Sequence, residues 1–375
     1  MRFSDIHTDK GLTEVLVRMS DEGRIPHAIL LHENSGGGAL ATALAFVGYV
    51  ACKNKSDGDS CGVCPTCNKI SKLIHPDLHF VFPVANPQKQ TKEKITALYY
   101  LSQWREAVLA NPYLDEESLY KQLGIEEKVG MIKVDEAKSI LEILNKSSYE
   151  GGNKYMIIWM PERMNSEAAN KLLKILEEPF AGTIFLLVSQ APEKIISTIR
   201  SRTLQLRVHP IDRKEIALVL AGEKNISPAQ AENFANLSDG SYGKALQLCE
   251  NHNNGQDNNL ILIESLIRSV KERKLSPTFP IVKELSEMGR ENQRRFCLYA
   301  EDYLRKLYMF NTNRTSISYA SAAETESLTV ISKGLSDKFF TRAFSALERA
   351  LQMLESNVNA KILFTSLVNR LFVSV

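Results

Sequence analysis

His27-Ala28-Ile29-Leu30-Leu31-His32-Glu33-Asn34-Ser35-Gly36-Gly37-Gly38-Ala39-Leu40 reads as an apolar strand, a glycine-rich turn and the start of an apolar helix. A phosphate-binding loop stands between a strand and a helix in the same way, because the helix N-terminus offers free N–H groups to an anion. Here the position is right and the residues are wrong. In the pattern G-x-x-x-x-G-K-S/T the lysine meets the β- and γ-phosphates and the hydroxyl holds Mg2+. With Gly36, Gly37 and Gly38 as the glycine run, those two places hold Ala39 and Leu40, and Glu33 replaces the first glycine. A carboxylate there repels phosphate, and losing the lysine contact and the metal ligand together should abolish hydrolysis. On this stretch alone, a plain glycine-rich turn and a degenerate nucleotide site both remain open.

Outward from the loop, strand-like runs at Ala28 to Leu31, Leu78 to Phe82, Tyr155 to Trp159 and Ile184 to Val188 alternate with helical patterns. That alternation predicts a mainly parallel sheet covered by helices. A segment of about 85–129 interrupts it, opening with Asn86-Pro87-Gln88-Lys89-Gln90 and continuing through helical patterns around Trp104 and Leu119. Beyond His209-Pro210 the strands stop. A small helical unit follows, then the polar stretch Asn251 to Asn259, which reads as a boundary. The expected domains are 1–208, 209–252 and 258–375. In the last, Phe340, Phe344, Leu347, Leu351, Leu354 and Val358 recur every three or four residues and fall on one helix face, for core packing or for a subunit interface.

The 375 residues exceed one ordinary core, and the net charge of +2 gives no broad field for gripping phosphates. Any nucleic-acid role is therefore expected to be shared with partners. No apolar run approaches the roughly 18 residues of a membrane span, and Met1-Arg2-Phe3-Ser4-Asp5 lacks the apolar core of a signal peptide. The expected location is the cytoplasm, where thiols stay reduced. Cys52, Cys61, Cys64 and Cys67 form C-x8-C-x2-C-x2-C, a soft four-thiolate set suited to tetrahedral Zn2+. The iron–sulfur alternative lacks its trailing Cys-Pro. A shell of four sulfurs leaves no open position, so the metal is expected to be structural. His75 and His79 read as ordinary loop or strand residues, and Cys249 and Cys297 as packed thiols.

An ATPase would also carry acidic residues at the end of an apolar strand, to position Mg2+ and water. Tyr155-Met156-Ile157-Ile158 instead runs into Trp159-Met160, which can do neither, and Glu162 two residues on reads as a loop charge.

With these residues in view the chain resembles the clamp-loader branch of the AAA+ family, and within it the delta-prime-type subunits. His27 to Leu31 resembles the strand into the phosphate loop, the cysteine module follows, and His75-Pro76-Asp77 closes it. Asn170-Lys171-Leu172-Leu173-Lys174-Ile175-Leu176-Glu177-Glu178-Pro179 is similar to N-A-L-L-K-x-L-E-E-P, and Ile199-Arg200-Ser201-Arg202-Thr203 to the S-R-C segment. In Gly240-Ser241-Tyr242-Gly243-Lys244-Ala245-Leu246, Gly243 stands where hydrolysing members carry an arginine.

The resemblance implies an AAA+ module with an inserted zinc knuckle, a small helical lid and a C-terminal helical collar. It implies a DNA polymerase III subunit with no ATP site of its own, assembled with gamma/tau and delta subunits, which helps load the sliding clamp onto primed DNA. Arg202 is the arginine finger it implies for the neighbouring ATP site, with Arg200 a lesser candidate. Ser189 falls at the phosphate-sensor position, and its other role is to cap the following turn. Lys171 and Lys174 read as solvated, with an inter-subunit contact as the alternative. An ATP-hydrolysing gamma/tau-like motor is the alternative within the family. A stand-alone zinc module binding DNA by sequence would need a basic helix after the cysteines, and there is none.

Overall fold

The computed structural model describes the chain except residues 34–35, 88–94, 126–127, 225, 255–257, 316–319, 321, 357 and 375. It divides into two compact units, Met1–Leu248 and Cys249–Val375.

The first unit is built on five parallel strands, β1 (Ala28–His32), β2 (Leu78–Val81), β3 (Lys154–Trp159), β4 (Thr183–Ser189) and β5 (Leu204–Arg207). Their order is β2-β3-β4-β1-β5. The central strands β1, β3 and β4 are continuous apolar runs because both faces of a parallel sheet are covered. On one face Ala28, Leu30, Met156, Ile158, Phe185 and Leu187 share a core with residues of α6 (Val134–Leu144) and α7 (Ser166–Glu177). On the sheet also lies α2 (Ala39–Ala51), which contacts β1, β3 and β4. Every residue of α2 from Ala39 to Tyr49 is buried, which explains why this helix is apolar all round. α1 (Lys10–Asp21) and α3 (Pro65–Ser71) pack against α2.

The parallel sheet flanked by helices thus takes the form expected of an AAA+-like domain. β5 is a further strand that the apolar runs do not reveal. Its Leu-Gln-Leu-Arg sequence lies at the sheet edge, mostly exposed, so little apolar surface is needed to hold it.

Between β2 and α6 the insertion forms α4 (Leu101–Ala110) and α5 (Glu116–Leu123), the two helical patterns expected there. Gln88, Lys89 and Gln90 of its polar opening lie outside the described residues. Trp104 of α4 is fully buried, stacked on Phe82 at 4.3 Å and tilted against Trp159 at 5.5 Å. The insertion is therefore anchored on the carboxyl ends of β2 and β3. α8 (Ser197–Arg200), α9 (Arg213–Lys224), α10 (Pro228–Leu237) and the first part of α11 (Tyr242–Asn254) complete this unit. α11 continues through Asn251 to Asn254, so the polar stretch read as a boundary opens inside a helix; Gly255, Gln256 and Asp257 lie outside the described residues.

The second unit consists of α12 (Asn258–Lys271), α13 (Thr278–Glu287), α14 (Arg290–Asn311), α15 (Ala322–Ile331), α16 (Asp337–Glu355) and α17 (Ala360–Ser374) around one apolar core. On α16, Phe340, Leu347 and Leu354 are buried in that core, with Phe344 and Leu351 half-buried against it. Phe339, Ala343, Ala346 and Ala350 fill the rest of the stripe. Val358 departs from expectation: α16 ends at Glu355, and Val358 lies in the connection to α17, off the helix face. Within the core's flank, buried Lys306 is held by Glu324 at 2.8 Å and Asp302 at 3.0 Å. No helix among the described residues is long and apolar enough to cross a membrane.

Candidate functional site

The glycine-rich turn leaves β1 and enters α2 with Gly36, Gly37, Gly38, Ala39 and Leu40 all buried; Asn34 and Ser35 lie outside the described residues. Gly38 caps α2 at φ 102°, a conformation open mainly to glycine. Instead of pointing to solvent, the Glu33 carboxylate folds into the turn and accepts the Ala39 N–H at 2.5 Å. It is 7% exposed, and burial pushes the carboxyl up to about 8, against the opposing pull of that hydrogen bond. The sequence marks Glu33 only as repulsive to phosphate. In the fold it is a buried carboxyl that accepts the first amide of α2.

Gly243 comes against the same turn, its N–H donating to the Gly36 carbonyl at 3.0 Å. A β-carbon there would stand 2.6 Å from the Tyr113 carbonyl oxygen, 2.8 Å from Tyr113 Cβ and 2.9 Å from the Gly36 carbonyl oxygen. The backbone leaves no room for an arginine. Tyr113, which follows α4, went unremarked in the sequence because only long-range packing brings it to this turn.

At the ends of β3 and β4 the residues serve structure. Trp159 closes β3, 1% exposed, and Met160 follows at φ 57°, with its N–H bonded to the Val188 carbonyl. Glu162 is more than a solvated charge: it accepts the N–H groups of Gln190 at 2.9 Å and Ala191 at 3.2 Å, bracing the turn after β4. Ser189 Oγ also accepts the Ala191 N–H, the capping role open to it from the sequence.

Asn165 caps α7 by accepting the Ala168 N–H, and Ala168, Ala169, Leu172, Ile175 and Leu176 are its buried residues. Leu173 is half-buried, and Ile175 takes the inner place. Lys174 is exposed and Lys171 half-exposed. α7 ends at Glu177, whose carboxylate pairs with Arg202 at 2.8 Å. Arg202 also donates to the Thr198 carbonyl at 3.1 Å, and its side chain is 38% exposed. Arg200 is half-buried, with Nε unpartnered among the described residues.

The cysteines converge. Cys52 ends α2, Cys64 caps α3, and the four sulfurs lie within 4.8 Å of one another. A tetrahedral centre with Zn–S of about 2.3 Å needs sulfurs about 3.8 Å apart; Cys61 and Cys67 stand at 3.9 Å. The N–H groups of Cys61, Cys64 and Cys67 donate at 3.4 Å to the sulfurs of Cys52, Cys61 and Cys64 respectively. Such donors favour thiolate. N–H groups of Val63 and Cys64 bring the Cys61 thiol down to about 6, whereas burial pushes Cys67 up to about 12. Gly62, at φ 71°, supplies the turn between ligands. The cluster fits a structural zinc centre.

His75 is outside the cluster. It bonds Glu150 at 3.2 Å and accepts the Asp77 N–H, while Asp77 accepts from Tyr149 and Glu150. His79 is half-buried in β2, and Cys249 and Cys297 are buried.

Among known proteins, the chain is 26% identical over 238 residues to the DNA polymerase III subunit delta' of Bacillus subtilis, covering 64% of this chain and 58% of that one. It is 28% identical over 242 residues to the subunit of the same name from Escherichia coli, covering 64% and 59%. The chain therefore spans less than two thirds of the length of either relative. A gamma subunit-related protein from Thermotoga maritima gives a TM-score of 0.41 at 17% identity, covering 96% of this chain and 98% of that one. The model of the family described as DNA polymerase III, delta subunit matches residues 8–212, more than half of the chain, from the segment before α1 through all five strands and the cysteine centre. The chain belongs to that family.

Proposed function

We propose that the chain is a delta-prime-type subunit of a bacterial clamp loader, which hydrolyses no ATP and completes the ATP site of a gamma/tau neighbour with Arg202. One observation carries this reading. An exposed arginine lies just beyond α8, while the end of β3 carries Trp159 and Met160 and the start of α2 carries Ala39 and Leu40, which can neither hold Mg2+ nor activate water. The Arg202–Glu177 pair is half-exposed, and such pairs are worth about 0–1 kcal/mol. The guanidinium can exchange Glu177 for a γ-phosphate, which it binds bidentately. Its contribution in trans would be roughly 10³–10⁵ in rate.

Cys52, Cys61, Cys64 and Cys67 would hold Zn2+, which joins the end of α2 to the start of α3 and takes no part in chemistry. Residues 209–252 would act as the lid, and 258–375 as the collar that joins gamma/tau and delta subunits. Sliding-clamp and primer-template contacts would come through the assembled complex, in the cytoplasm.

The test is co-purification with gamma/tau and delta subunits, followed by ATPase assay of the isolated chain and of the complex. Turnover only in the complex is expected. Measurable turnover by the pure chain would favour the gamma/tau-like motor and overturn this reading.

A further inference from the structure

The spacer between Cys52 and Cys61 is eight residues long, where two suffice between the other ligands. A four-sulfur shell does not need the extra length, so the spacer has another task. Its middle forms a two-residue hairpin: Ser56 and Asp59 exchange backbone hydrogen bonds at 3.1 and 2.8 Å, and Asp57 and Gly58 between them stand at φ 52° and 73°. Positive φ at both central residues is the tight turn that Asp-Gly favours. The hairpin sets the Asp59 carboxylate against the N-terminal segment, where it accepts the N–H groups of Phe3 at 3.0 Å and Ser4 at 2.9 Å. Beside it the stem of Arg2 lies over Gly62, where a β-carbon would be 3.0 Å from Arg2 Cδ.

From this hold the segment runs across α2. Phe3 meets Tyr49 with ring centres 6.0 Å apart, Ile6 is buried, and the Thr8 hydroxyl bonds that of Thr42 at 2.8 Å. Then come contacts with the helices after β5. His7 Nε2 bonds Glu223 of α9 at 3.1 Å, Asp9 bonds the His209 ring at 2.8 Å while capping α1, and Lys10 pairs with Glu215 of α9 at 2.6 Å. Each of these three pairs is more than half exposed on one side. Such pairs are individually weak. They act together only where the segment that carries them is already fixed, and the charge-assisted bonds to Asp59 fix it.

We propose that residues 53–60 are a clasp on residues 2–10, that Zn2+ on Cys52 and Cys61 keeps the clasp shut by closing both ends of the spacer, and that zinc occupancy thereby sets how firmly α9 is held to the segment before α1. Stripping the metal frees both spacer ends; the Asp59 hairpin loses its fixed place, and the segment and α9 loosen together. This rests on the reading of the cysteines as a zinc centre and is independent of Arg202.

The experiment is hydrogen exchange on the full chain, read by mass spectrometry over residues 3–12, α9, β3 and β4. Wild type with zinc is compared with wild type stripped by 1,10-phenanthroline and with Asp59→Ala, and zinc is measured in each. Asp59→Ala should keep its zinc yet exchange on the order of tenfold faster over residues 3–12 and over α9, as expected when charge-assisted bonds that close a local opening are lost. Stripped wild type should do the same, and added zinc should reverse it. β3 and β4 should be unchanged in both.

A purely local role for Asp59 would move only the amides it bonds, so an unchanged α9 in folded Asp59→Ala overturns the proposal. So does stripped wild type in which residues 3–12 and α9 stay protected, or in which β3 and β4 lose protection to the same extent. If Asp59→Ala does not fold, Asp59→Asn, which keeps the shape and loses the charge, takes its place under the same criterion. A wild type found free of zinc overturns the metal's part through the centre itself, while the Asp59 variants still decide the clasp, so the two failures are distinguishable.

Discussion

Glu177, the last residue of α7, holds the guanidinium of Arg202 at 2.8 Å across a surface that is about two-fifths exposed on both sides. The pair ties the segment after α8 to the helix that packs on the sheet. It fixes where the arginine rests without burying it. Glu177→Gln should therefore change stability by less than about 0.5 kcal/mol in urea unfolding. A loss above about 2 kcal/mol would mean that the pair is a structural clamp, and would weaken the idea that Arg202 is released to a partner.

Cys64→Ser removes one sulfur and weakens the N-cap of α3, since the Cys64 sulfur accepts the Cys67 N–H. Elemental analysis should find about one zinc per wild-type chain and far less in the variant, with a lower Tm for the first unit. A wild type purified without chelators and found free of zinc would refute the metal assignment.

Trp104→Ala empties the space between Phe82 and Trp159. Large aromatic truncations of this kind cost about 3–5 kcal/mol. Chemical denaturation should show that loss. A cost below about 1 kcal/mol would mean the insertion is not anchored on the strand ends.

Stability should also carry the imprint of two buried carboxyls. Burial raises Glu33 to about 8 and Glu136, which accepts the Ala97 N–H, to about 7. In the unfolded chain both would lose their protons near their ordinary value of about 4.3. Between there and 8 the unfolded state binds fewer protons than the folded one, so stability falls as pH rises through that window. Glu33→Gln removes one of these terms. Its Tm relative to wild type should climb from pH 5 to pH 8 and level off above; a flat or falling difference would contradict the buried, protonated state of Glu33.

Much of the first unit was legible because its signals are local. The apolar runs of β1, β3 and β4 and the cysteine spacing each announce themselves within a few residues. β5 was not, because an exposed edge strand needs no apolar run. Val358 continued the α16 spacing in sequence, yet the helix stops at Glu355. At the glycine turn, Ala39, Leu40 and Gly243 told what was missing. What fills the turn was hidden: Tyr113 reaches Gly38 and Gly243 from a different part of the chain, and a glutamate folding inward to bond Ala39 leaves no mark in composition or period. Likewise Arg202 could be singled out by its segment, but its pairing with Glu177 is a tertiary fact.

The most direct test of an arginine acting in trans is the DNA-stimulated ATPase of the loader reconstituted with Arg202→Ala, beside Arg202→Lys and wild type. Assembly and the Tm of the isolated chain should be unchanged, with turnover at the adjoining site lowered roughly 10³-fold or more, and Arg202→Lys only partly restoring it. Wild-type turnover in a correctly assembled Arg202→Ala complex would contradict the assignment.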